Sequence, residues 1–339
     1  MTVTSREIRL AARPIGEPKP TDFELASTEV PDAGEGEILV RNTWMSVDPY
    51  MRGRMVVQES YVPPFQIGAP LEGHAIGVIE QSNHPDFAVG DHVSHMVGWR
   101  EYFVSNGFGF QKIDPNLAPA QAYLGVVGMP GLTAYAGLLR VGECKEGDTV
   151  FVSAASGAVG SIVCQIAKAK GCFVIGSAGS QEKIDWLKNE IGVDHAFNYK
   201  DTPTVESCVA ELSKAAPGGI DVYFENVGGV QLEAALITMK VRGRIALCGM
   251  IAQYNATEMP PGPSAIIMAI GKSIKIEGFV VSVHADMLPD FQRDMVQWIS
   301  EGKIKWHETV FDGIEKAPDA FMALFNGGNF GKCLVKLGD

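Results

Sequence analysis

The rhythm of apolar positions changes near Tyr123. Before it, short runs rich in β-branched and aromatic residues alternate with glycine and proline. Examples are "GEILVRNTWMSV", "AIGVIE", "GDHVSHMV" and "REYFV". Such side chains suit a pleated, half-buried surface, and Pro31, Pro63, Pro64 and Pro70 supply turns, so a β-rich domain is predicted. After Tyr123, apolar strand candidates recur at nearly regular intervals: "TVFVSA", "FVIGSA", "HAFNY", "DVYFEN", "RIALCG" and "KIEGFVV". Helical patterns separate them. One places Ile162, Val163, Ile166 and Ala169 on a single face, and the next does the same with Ile184, Leu187 and Ile191. Strand and helix in alternation predict a parallel sheet covered on both faces, and six strands fit a doubly wound α/β sheet. The tail "DFQRDMVQWISEG" reads as an amphipathic helix closed by Gly302, followed by a short strand, a helix near "APDAFMALF" and a last strand "KCLVKL". We expect residues 1–124 to form the β-rich domain, 125–295 an inserted nucleotide-binding domain, and 296–339 to return to the first.

The first strand of the alternation runs into "SAASGAVG" and then into a helix. This is a variant of the dinucleotide fingerprint, with Ala155 in place of the first glycine. Gly157 lets the backbone approach a pyrophosphate, Gly160 lets helix pack close on strand, and the helix N-terminus favours negative charge. Such a unit usually carries an Asp or Glu about 20 residues on, to hold the ribose hydroxyls. Counting from Gly157, that place is Ser177, and no acid follows until Glu182. The second strand instead offers Ser177, Gly179, Ser180 and Lys183. Backbone amides, hydroxyls and a cation suit a 2′-phosphate, which points to NADP(H) rather than NAD(H). Tyr199, after the third strand, is placed to cover the same phosphate or the adenine.

Charge and cysteine usage narrow the classes. The net charge of −12 speaks against nucleic acid and anionic membrane surfaces as partners. The long uncharged segment from Pro115 to Leu139 is broken by Pro130 and several glycines and reads as buried core, not a membrane span. The six cysteines are scattered and form no CxxC, as expected of reduced thiols in a cytoplasmic protein.

The whole chain resembles the medium-chain dehydrogenase/reductase superfamily. Within it, the chain is most similar to the zinc-independent alkenal double-bond reductases, which include the prostaglandin reductases and bacterial curcumin-reductase-like enzymes. The resemblance rests on "SVDPYMRGRM", "MPGLTAYAGL", "SAASGAVGSIVCQIAKAKG", "FENVGG", "CGMIAQYN" and "GGNFGKCLVKL". It implies a GroES-like β-rich catalytic domain beside a Rossmann domain, a homodimer, and NADPH-dependent reduction of the C=C bond of α,β-unsaturated ketones and aldehydes. It implies cofactor contacts from Thr133, from Gly157, Ala158, Val159 and Gly160, from Ser180, Lys183, Tyr199 and Asn226, from Cys248, Gly249, Met250, Ile251 and Tyr254, from Phe279, Val280 and Val281, and from Asn329. Tyr254 is the family's candidate for polarising the substrate carbonyl or delivering a proton. A phenol with a pKa of about 10 remains a hydrogen-bond donor at neutral pH. Tyr50 resembles a residue lining the substrate pocket, and Val283 lies in the region that flanks the substrate mouth.

Zinc-dependent relatives need a thiolate on the first domain. This chain has no cysteine before Cys144, and Glu72 and His74 in "EGHAIG" have no thiolate partner, so no metal is expected. Two alternatives stay open at this point: a quinone reductase of the same superfamily, and a protein that binds NADP(H) without turnover.

Overall fold

A computed structural model describes residues 2–338. It divides into two compact units, Met1–Gly125 with Glu308–Asp339, and Val126–His307. The chain opens with strands β1 (Val3–Leu10) and β2 (Phe23–Val30), then β3 (Ile38–Ser46), a single helical turn α1 (Met51–Arg54), β4 (Ala75–Ser82), β5 (His92–His95), β6 (Tyr102–Ser105) and β7 (Gln111–Ile113). The second unit holds α2 (Met129–Ala136), β8 (Thr149–Val152), α3 (Gly160–Ala169), β9 (Phe173–Ala178), α4 (Gln181–Trp186), β10 (His195–Asn198), α5 (Val205–Ala215), β11 (Ile220–Glu225), α6 (Gly229–Thr238), β12 (Met239–Leu247), α7 (Met268–Lys272), β13 (Lys275–Gly278) and α8 (Leu288–Ser300). The chain then returns with β14 (Glu308–Asp312), α9 (Ala317–Asn326) and β15 (Lys332–Lys336).

In the first unit, β1 and β2 form an antiparallel ribbon, and a mixed sheet runs β14-β15-β3-β4-β5-β7 with β6 also on β3. Its core gathers Leu10, Met45, Met51, Met55 and Phe321 around Trp99, which stacks on Phe23. The return begins at Glu308, later than the expected 296. Helix α8 is amphipathic, and it buries Phe291, Met295 and Trp298 within the second unit, where Tyr135 meets both aromatic rings.

A second cluster in the first unit sets an acid limit. His95 is almost fully buried on β5 and stacks on Phe110 at 4.7 Å, and its Nδ1 accepts from the Val97 N–H at 3.1 Å. Burial, with the charges of His74 and Arg100, pushes its pKa down to about 3. The unfolded chain therefore takes up this proton first as pH falls below about 6.5. The stabilisation is complete above that pH and is lost as pH falls towards the folded value. The melting temperature is expected to fall between pH 6.5 and 5, with a contribution of about 1.4 kcal/mol per pH unit from this site. His95→Asn, which keeps an acceptor where Nδ1 stands, is expected to flatten that slope; an unchanged slope would place the acid sensitivity elsewhere.

The second unit carries a wholly parallel sheet in the order β10-β9-β8-β11-β12-β13. Central parallel strands are covered on both faces, so they read as continuous apolar runs rather than alternating ones. Val150, Phe151 and Val152 on β8 and Val222, Tyr223 and Phe224 on β11 are fully buried, with Phe151 stacked on Tyr223 at 4.7 Å. The strand order reverses between β8 and β11. In sheets of this type, ligands bind beyond the C-terminal strand ends at such a switch point.

Candidate active site

At the switch point, β8 runs through Ser153 into a turn whose Ala154 adopts a left-handed φ of 47°. The Gly157 N–H donates to Ala154 O at 2.9 Å, and α3 begins at Gly160. A Cβ on Gly160 would stand 2.3 Å from Ala154 O, so no side chain fits there. The helix can then approach the turn closely and present its first N–H groups beyond the strand ends. Ala155 occupies the place of the first glycine because Gly176 on β9 yields room: a Cβ on Gly176 would lie 2.8 Å from the Ala155 Cβ.

Ser153, Glu225 and Asn226 lock the ends of β8 and β11 together. The Asn226 side chain donates to Ser153 O at 2.7 Å, and its backbone N–H donates to Ser153 Oγ at 2.8 Å. Glu225 is fully buried, and its Oε1 accepts from Ser153 Oγ at 3.0 Å and from the N–H groups of Val227 and Gly228 at 2.6 and 2.9 Å. Burial raises its pKa against the lowering effect of those donors. Sequence reading missed Ser153 and Glu225; an acid at a strand end, three residues before a glycine pair, was the available signal.

The end of β9 shows why the missing acid matters. Ser177 is fully buried and donates to Gln231 Oε1 at 2.5 Å, so it faces the protein interior and not a ligand. The exposed chemistry comes from the residues after it. Ser180 caps α4, accepting from the Lys183 N–H. The Tyr199 ring lies beside Gly179, where a Cβ would come within 3.0 Å of it. Burial lowers the pKa of Lys183, and the charge of Lys200 lowers it further. Two cations held close together at a glycine-lined strand end suit a dianionic phosphate. Lys200 was not singled out from the sequence.

The loop after β12 is laid across the end of β11. The Cys248 and Gly249 N–H groups donate to Glu225 O, the Ile251 N–H to Asn226 O, and the Ala252 N–H to Val227 O. Tyr254 closes the short turn Ile251–Gln253, and its Oη accepts from the Met250 N–H at 3.3 Å. A Cβ on Gly249 would lie 3.0 Å from this Oη, so Gly249 leaves room for the phenol over the loop. Burial and the Glu225 charge push the Cys248 thiol up to about 12, which keeps it a neutral group. Thr133 is buried on α2 and donates to Met129 O at 2.8 Å. Strand β13 ends at Gly278, earlier than its apolar run suggested; Phe279 packs edge-on to Phe224 and His284, while Val280 and Val281 lead into a short turn. Val283 in that turn is 71% exposed.

The remaining expected residues lie in the first unit. Tyr50 precedes α1, and burial together with the Asp48 charge raises its pKa, so it stays protonated. Asp48 accepts from Ser46 Oγ and pairs with the buried Lys332 at 3.1 Å. Lys332 also donates to Val47 O and Cys333 O, tying β15 to the segment that carries Tyr50. Arg52 is buried and donates to Pro14 O and Gly16 O, a structural role. The Asn329 side chain donates to Gly331 O at 3.1 Å.

Residues 6–113 match the family described as the N-terminal domain of oxidoreductase, and residues 158–301 that described as zinc-binding dehydrogenase. The donor chemistry does not fit zinc: Glu72 pairs with Arg54 at 2.8 Å, no cysteine precedes Cys144 to offer a thiolate, and no group of three or more His, Cys, Asp or Glu is placed to hold a metal among the described residues. The chain is 42% identical to the NADPH-dependent curcumin reductase of Escherichia coli, over 97% of this chain and 95% of that one. It is 43% identical to the NADP(+)-dependent 2-alkenal reductase of Nicotiana tabacum, over 98% and 97%. The crystal structure of CurA from Vibrio vulnificus in complex with NADPH superposes with a TM-score of 0.93 at 42% identity, covering 98% of this chain and 99% of that one. The chain belongs to the medium-chain dehydrogenase/reductase family, in the branch that holds the curcumin, 2-alkenal and prostaglandin reductases.

Proposed function

We propose that this protein reduces the C=C bond of α,β-unsaturated ketones and aldehydes with NADPH. The observation that carries the cofactor reading is the strand end bearing Gly179, Ser180, Lys183, Tyr199 and Lys200 where an NAD-dependent unit would hold a carboxylate. The reaction reading rests on the relatives that share the whole chain. When bound, NADPH supplies hydride to the β-carbon of the enone. Gly157, Ala158, Val159 and Gly160 cradle the pyrophosphate. Asn226, the loop from Cys248 to Ile251, Thr133, Phe279, Val280, Val281 and Asn329 orient the rest of the cofactor. Tyr254 donates its proton as a hydrogen bond to the carbonyl oxygen while negative charge builds there, and the Met250 N–H at its Oη fixes its direction. Tyr50 and Val283 contact the substrate.

The test is oxidation at 340 nm of NADPH and NADH in parallel, with a simple alkyl enone, with and without a chelator. Oxidation of NADPH in clear preference, indifferent to the chelator and giving the saturated ketone, is the expected result. Equal use of NADH would overturn the cofactor assignment, and tight NADPH binding without turnover would overturn the reaction.

No helix among the described residues is long and apolar enough to cross a membrane. We assign the protein to the cytoplasm, in keeping with six free cysteines. We assign it a homodimeric state as well. Strand β13 ends the second unit's sheet with one edge unpaired, and Ile266, Ile267 and Ile270 nearby are exposed. Light scattering on the eluting protein should give twice the 36.4 kDa chain mass; a single chain mass at micromolar concentration would remove the dimer.

A further inference from the structure

We propose that Cys144 and Cys172 form a redox site that takes a two-electron oxidant, a peroxide or a small disulfide, and closes to a reversible intrachain disulfide. The two sulfurs lie 3.3 Å apart, a hydrogen-bonded thiol pair. Cys144 sits in the loop between α2 and β8 and is partly exposed, whereas Cys172 sits between α3 and β9 and is buried. Both loops lie at the N-terminal ends of β8 and β9, the opposite end of the sheet from the phosphate turn. They are already fastened: the Gly147 N–H donates to Gly171 O at 3.3 Å, and the Cys172 thiol also lies 3.3 Å from Lys145 O. Closing the bond needs the sulfurs to approach by a little more than 1 Å, to the usual S–S distance of about 2.05 Å. Side-chain rotation in two surface loops supplies that. Cys164, Cys208 and Cys333, by contrast, are buried, with their thiols raised by burial.

The chemistry divides between the two sulfurs by access and by charge. Cys144 is the one an oxidant reaches. The Cys172 hydrogen bond and burial raise the Cys144 pKa, so it reacts through a minor thiolate fraction: with hydrogen peroxide that thiolate attacks one oxygen, the O–O bond breaks, and a sulfenic acid and hydroxide form. The Cys172 sulfur then attacks the sulfenic sulfur, the S–S bond forms, and the hydroxyl leaves as water once the Cys172 proton is passed on. Two thiols and one hydrogen peroxide give one disulfide and two waters, with two electrons moving from sulfur to oxygen. Cys172 suits the resolving role. Its sulfur stands 3.3 Å from that of Cys144, and the charge of Lys168, whose Nζ donates to Cys172 O, favours its thiolate.

The full-length reduced protein is treated with hydrogen peroxide and, separately, with oxidised glutathione. Thiols are counted under denaturing conditions, and tryptic peptides are mapped without reductant. The expected result is loss of two of the six thiols, a peptide linking residues 144 and 172, a melting temperature raised by about 5 °C, and full reversal by dithiothreitol. Cys144→Ser is expected to abolish the linked peptide and the thermal shift, and Cys172→Ser to do the same while leaving Cys144 as a stable sulfenic acid or glutathione adduct. Retention of all six thiols, arrest of the wild type at a glutathione adduct on Cys144, or a thermal shift that persists in Cys144→Ser would each overturn the proposal.

Discussion

Tyr254→Phe is expected to lower kcat for enone reduction by about 100-fold, the scale of losing one preorganised donor at a developing oxyanion. The phenol accepts from the Met250 N–H through its oxygen, and that bond positions the oxygen. A hydroxyl that already accepts a hydrogen bond is also the better donor. Phenylalanine keeps the aromatic ring and removes only the hydroxyl, the group that stands over Gly249. NADPH affinity, set by the pyrophosphate turn and the β9 end, should change less than threefold. Pre-steady-state reduction followed with NADPH and with its deuterated form separates the readings. A slowed hydride step with an intact isotope effect assigns Tyr254 to the chemistry. A wild-type rate means that another group or water polarises the carbonyl. A tenfold weaker Kd for NADPH means that Tyr254 chiefly holds the loop.

Much of the geometry at the switch point was readable in one dimension because its requirements are local. The turn from β8 to α3 needs glycines at set spacings, and strands buried on both faces write themselves as apolar runs. The absence of an acid after β9 is equally local. What escaped the sequence depends on contacts between distant segments. Ser177 stands at the position counted from the glycines, yet Gln231 on α6 draws it inward, 54 residues away. Lys200 reaches Lys183 only because β10 lies beside β9. Ser153 and Asn226 meet because β8 and β11 are neighbours across the switch point, a pairing that strand order alone creates. The return point was placed too early for a related reason. An amphipathic helix shows that one face is buried but not against what, and α8 is buried within the second unit.

Lys183→Ala should raise the KM for NADPH by roughly 10- to 100-fold and leave that for NADH within twofold, the range for a hydrogen bond to a charged group. The substitution leaves the helix start intact, because Ser180 receives the backbone N–H of residue 183 and not its side chain. It also removes a charge that the folded protein holds at a cost. Burial and Lys200 both lower the pKa of Lys183, so the cation is less comfortable here than in water. The protein without cofactor should therefore melt at the same temperature or higher after the change, while stabilisation by added NADPH shrinks. The sign with pH follows: NADPH affinity falls as alkaline pH removes the Lys183 proton, at a pH below the ordinary lysine value of about 10.4. Lys200→Ala should weaken NADPH by a smaller factor and return the Lys183 titration towards that ordinary value. Equal losses for NADH and NADPH in Lys183→Ala would make the lysine a structural element of α4, and the specificity would then have to come from Ser180 and Tyr199.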